Sequence, residues 1–150
     1  MSALFAFLHH LAAFAFAGAL IVEFVIIKDE INERTARRLI KADILYASAA
    51  TVVLVLGFIR VYNFEKGAEY YWHSFPFIAK ITLFAVVALL SFYPSAEFLK
   101  WRKQLRTGDP LTTRPEKLNK IRRIIHVELL GLALILLSAA LIPRGYGYFG

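Results

Sequence analysis

Four mostly apolar stretches run through this 150-residue chain, at 3–27, 42–62, 77–99 and 121–142. A helix needs about 20 such residues to cross a bilayer, and each stretch is long enough. Each is interrupted by only a few ionisable residues. Four strands are not an alternative, because an open sheet edge finds no partner in lipid. The hydrophobic share is 59%, more than a short water-soluble chain can bury. The sequence therefore predicts an all-α fold: one integral membrane four-helix bundle covering 1–150. The first stretch carries Ala15-Phe16-Ala17, a faint cleavage-site mimic. It is longer than a signal core and no Lys or Arg precedes it, so it reads as a retained span.

Charge gives the bundle a direction. The first connection holds Lys28, Arg34, Arg37, Arg38 and Lys41. The third, with its flanks, holds Lys100, Arg102, Lys103, Arg106, Arg114, Lys117, Lys120, Arg122 and Arg123. The second holds only Lys66, just after Arg60, and the C-terminal tail only Arg144. Cytoplasmic loops carry the Lys/Arg excess, so connections one and three are expected inside and both termini outside. In a bacterium this means the cytoplasmic (inner) membrane with periplasmic termini. The net charge of +7 is then a topology signal, and no nucleic-acid partner is expected. The chain has no cysteine, which excludes disulfides, iron–sulfur clusters and thioether-linked haem.

Local signals refine the ends. Gly108-Asp109-Pro110 should stop the third helix, and Thr113 with Glu116 should form a capping box at the fourth. Pro94 should weaken the third helix. Tyr70, Tyr71 and Trp72 are expected at the outer interface and Trp101 at the inner one. Phe98, Trp101 and Leu105 among basic residues suggest that the third helix continues along the inner surface. Ala13, Ala15, Ala17 and Ala19, with Ala47, Ala50 and Thr51, offer close helix approach.

Ionisable residues at membrane depth are functional candidates, and they fall into two layers. The outer layer holds His9, His10 and Lys80, with His73 read as a wet loop residue. Neutral imidazole is a good axial ligand for haem iron, and a bundle core is a common cofactor site. A deprotonated Lys80 amine could be the second ligand. His9 and His10 point about 100° apart, so both cannot bind one iron axially. His10 shares its side with Ala13, Phe14 and Ala17, and is the preferred ligand; His9 lines up with Phe16 and Glu23. An alternative is that the histidines sit among headgroups and Lys80 snorkels outward. The inner layer holds Glu23, Asp43, His126 and Glu128. It reads first as buried pairing, with Asp43 on Lys41 or capping its helix and Glu128 paired across the bundle. A proton relay or a carboxylate–His metal site is the alternative. His126 and Glu128 are two apart and face nearly opposite sides.

The string His9-His10-Leu11-Ala12-Ala13-Phe14 followed by Glu23 resembles a bacterial four-span membrane family, domain of unknown function 2214. So do Phe77-Ile78-Ala79-Lys80-Ile81-Thr82-Leu83-Phe84, Ser91-Phe92-Tyr93-Pro94 with Phe98-Leu99-Lys100-Trp101-Arg102, Glu128-Leu129-Leu130, and Arg144-Gly145-Tyr146-Gly147. That family carries no assigned activity. A His early in span one and a Trp-His block before a span-three Lys are also distantly similar to HemJ-type protoporphyrinogen oxidases and CopD-like membrane proteins. This likeness implies b-type haem at His10 (or His9) and Lys80. It implies porphyrinogen oxidation less, because the HemJ span-one Trp and Arg pattern is absent. The expectation is a membrane haem b protein in a redox or electron-transfer role, with a quinone or other redox partner. The alternatives are a cofactor-free structural or accessory subunit, homo-oligomeric or in a larger complex, and a proton- or ion-handling protein using Glu23, Asp43 and His126.

Overall fold

The computed structural model describes residues 2–64 and 68–149. Each apolar stretch forms a helix: α1 (Ser2–Ile26), α2 (Glu33–Asn63), α4 (Phe75–Thr107) and α5 (Pro115–Leu141). A short α3 (Ala68–Trp72) precedes α4, and a 3-10 turn (Ile142–Arg144) follows α5. All four long helices have the length and apolar composition of membrane spans. The protein is an all-α membrane bundle. Lys66 lies outside the described residues.

The helices overrun the apolar stretches, mostly at the end carrying the basic connections (the basic end). At 1.5 Å per residue, α2 and α4 are about 47–50 Å long, against a hydrocarbon core of about 30 Å. The expected loop 28–41 is therefore mostly helix. Asn32 starts α2 and accepts from the Thr35 amide at 3.0 Å. The charged residues beyond it are good helix formers once capped.

Three local expectations are corrected. The α5 N-cap is Arg114, without a side-chain cap hydrogen bond, so the Thr113–Glu116 box does not form; Pro115 fills the first turn instead. Helix α4 passes unbroken through Pro94, which is buried. Trp101 and Phe98 point into the core rather than along a membrane surface. The stop of α4 is as expected: Gly108 adopts φ 77°, a left-handed turn that costs glycine least, and its N–H donates to Gln104 O.

Packing is closest within two hairpins, α1 on α2 and α4 on α5. The α4–α5 seam is tightest at Gly131, where an added Cβ would stand 2.5 Å from Val87 Cγ2. Phe16, Leu20, Ile27, Phe98, Ile121 and Ile125 form the centre of one core. At the basic end Arg122 Nε donates to Ile27 O at 3.0 Å, tying α5 to the end of α1. Glu97 of α4 accepts from Lys100 at 2.7 Å and from Lys117 of α5 at 3.3 Å. At the other end (the far end) the C-terminal tail pairs with the α3–α4 junction. The Phe75 N–H donates to Gly147 O and the Phe149 N–H to His73 O, each at 3.0 Å. His73 is accordingly half-buried against Phe149.

Candidate functional site

The buried stripe of α1 runs through His9, Ala12, Phe16, Ala19, Leu20 and Glu23. That is the three- and four-residue spacing of one helix face. It turns His9 inward and His10 outward. His10 is exposed, and its Nδ1 lies 2.6 Å from Ala6 O in its own helix. Phe14, expected on the cofactor side, is 78% exposed. The ring facing the bundle is thus His9, while His10, the ligand preferred from the sequence, does not share that inward face. Phe16 and Leu20, not Ala13 and Ala17, mark the inward face.

His9 opens onto a cavity of about 300 Å³ near the far end. Its walls include Phe16, Phe58, Phe77 and Phe84, and Arg60 and Lys80 reach it from α2 and α4. His10 reaches its rim. Gly57 stands opposite His9: a Cβ there would come within 3.3 Å of His9 Cε1. Among the described residues His9 Nδ1 makes no hydrogen bond of ordinary geometry, with the Val53 backbone of α2 beside the ring. An apolar aromatic cavity with a few convergent polar groups is the usual form of a small-molecule site. Its volume lies at the small end of the common range, roughly 300–1,000 Å³.

A haem would ask less of these side chains than a bare ion would, although it would have to extend beyond a cavity of about 300 Å³. Among the described residues no three His, Cys, Asp or Glu side chains gather closely enough to cage a metal. A macrocycle brings its own four nitrogen donors and needs only an axial imidazole. His9 supplies a buried ring with an unused nitrogen, the phenylalanines offer flat apolar walls, and Arg60 and Lys80 suit carboxylates.

The second layer lies toward the basic end. Glu23 is 14 positions beyond His9 on α1, or about 21 Å along the helix. Glu23, Asp43 and Glu128 come from α1, α2 and α5 and are buried at 2%, 8% and 1% exposure. They lie close enough to interact electrostatically. Asp43 Oδ1 accepts from Ser95 Oγ of α4 at 2.6 Å. Tyr46, one turn after Asp43, is buried within electrostatic reach of all three and beside Ser91. The expected pairings are not found: among the described residues none of these carboxylates has an ion-pair partner, and Lys41 is exposed. His126 stands apart on the exposed face of α5, with Nδ1 2.6 Å from Arg122 O and its ring edge-on to Phe24.

Sequence reading missed Tyr46 and Ser95. The three-residue step from Asp43 to Tyr46 was available as a signal. Ser95 could be placed only once α4 was docked.

A family profile described as "Predicted membrane protein (DUF2214)" matches residues 1–147. No curated protein and no solved structure matches the chain, so the distant HemJ and CopD likeness finds no support there.

Proposed function

The chain belongs to the DUF2214 family of membrane proteins, and from that premise we propose that it binds haem b in the far-end cavity and serves a redox role. The observation that carries this reading is His9, turned inward with an unused nitrogen beside the space that Gly57 leaves. Bound haem would supply one-electron transfer. His9 would hold the iron, and the phenylalanine walls would exclude water from it. Lys80 and Arg60 would hold carboxylates, or Lys80 would give the second axial donor. The excess of Lys and Arg at the opposite end supports a periplasmic position for the cavity in a bacterial cytoplasmic membrane. From there it would meet a quinone or another redox partner.

The test is an absorption spectrum of the protein purified from haem-supplied membranes. A Soret band is expected, greatly reduced in His9→Ala and retained in His10→Ala. A colourless protein, or a band indifferent to His9→Ala, overturns the reading. A second reading is a cofactor-free accessory subunit, supported by the many apolar side chains left on the outside of the bundle, such as Phe14, Leu89 and Phe92. It predicts no spectral trace and a stable assembly with another membrane chain or with its own copies.

A further inference from the structure

The acidic layer has no part in haem binding, and its chemistry is distinct. Burying a charge without a partner is among the costliest acts in folding. Three helices nonetheless bring Glu23, Asp43 and Glu128 together at membrane depth. The groups facing the cluster are these: from α1, Glu23; from α2, Asp43 and Tyr46; from α4, Ser91 and Ser95; from α5, Glu128. None of them is a cation. The nearby Arg122 is turned to the end of α1, where it holds Ile27 O. Charges on all three would stand without an opposite charge in so dry a place.

A separate observation points to what they hold. Tyr46 is 4% exposed, and its hydroxyl, beside Ser91 and within electrostatic reach of the carboxylates, makes no hydrogen bond of ordinary geometry among the described residues. Ser91 beside it donates its own hydroxyl to Ala88 O. Glu23 Oε1 and Glu128 Oε1 are likewise buried and unpartnered. A carboxylate only accepts hydrogen bonds, whereas a protonated carboxyl also donates one. Every oxygen left over here lacks a donor, and protons on the acids would supply donors. A metal ion is a poorer occupant, since the described acids are not arranged as a cage.

We propose that Glu23, Asp43, Glu128 and Tyr46 form an exchangeable proton-binding site inside the membrane, filled from the basic end. Glu23 lies three residues from the end of α1, about 5 Å along the axis, so the path to water is short there. Ser95 fixes Asp43, and protons on the acids would let the Tyr46 hydroxyl join α2 to the acids of α1 and α5. The site is independent of whether the cavity holds haem.

Infrared difference spectroscopy on the full chain in phospholipid vesicles tests this, stepped in pH and repeated in deuterated buffer. The expected result is a protonated-carboxyl C=O band at neutral pH that shifts on deuteration and fades as pH rises. Glu23→Gln, Asp43→Asn and Glu128→Gln mimic the neutral acid and should fold normally, and at least one should remove the band. Tyr46→Phe should move its frequency without removing it. If a substitution at an acid prevents folding, the wild-type and Tyr46→Phe spectra decide. Three results overturn the proposal: no such band at neutral pH, a band unchanged in every variant, or a band abolished at constant pH when sodium replaces choline. The last would identify a metal-cation site.

Discussion

Replacing Gly131 with alanine tests how the two hairpins are held together. The new Cβ would stand 2.5 Å from Val87 Cγ2, against about 3.5–4.0 Å for carbon atoms in contact. Val87 cannot yield easily: it is β-branched, stiff at χ1 and 2% exposed. Overpacking of this kind costs about 1–3 kcal/mol. Alanine also gains up to about 1 kcal/mol over glycine in helix propensity, which works the other way. Gly18→Ala isolates that gain, because nothing lies within 4 Å of its added Cβ. The propensity gain is common to both and cancels, so the clash should separate the two variants by roughly 1–3 kcal/mol. Reversible unfolding in mixed micelles with rising SDS measures the difference. Adding Val87→Ala to Gly131→Ala should recover part of the loss, with a coupling of about 0.5–3 kcal/mol. If Gly131→Ala is as stable as Gly18→Ala, or Val87→Ala brings no recovery, the seam is not closed by this contact.

Two further substitutions probe the basic end. Asn32→Ala removes the cap of α2 and should cost about 1 kcal/mol, with faster amide exchange confined to the first turn of α2. Arg122→Met loses the 3.0 Å bond to Ile27 O and should cost about 1 kcal/mol in the same SDS titration. An unchanged midpoint would show that water replaces the guanidinium without loss.

How far the sequence could be read depended on which force decided each feature. The four spans were legible because lipid demands long apolar runs and little else. The helical extension over 33–41 was not, because hydropathy is blind to charged residues that are good helix formers; the one over 98–107 was, through the stop at Gly108-Asp109-Pro110, although Phe98 and Trp101 turn into the core. The capping box at Thr113 and Glu116 failed because the helix starts at Pro115, one residue too late for Thr113 to cap it. The choice between His9 and His10 rested on a local argument about small neighbours. The seven-residue steps from His9 to Phe16 to Glu23 carried the better signal, since they trace the face that packs. The acidic layer was visible as residues but not as a cluster. Its meaning depends on the absence of nearby cations among the described residues, which only docked helices reveal.

Phe16 belongs to both layers. Its ring lines the cavity and also stacks on Tyr46, with centroids 4.8 Å apart. The two rings form a thin apolar partition between a chamber for a small molecule and a reservoir of acids. A ligand that displaced Phe16 would disturb the phenol within electrostatic reach of those acids. Thermodynamic reciprocity would then make the number of protons held on one side of the partition depend on occupancy of the other, by the same factor in both directions.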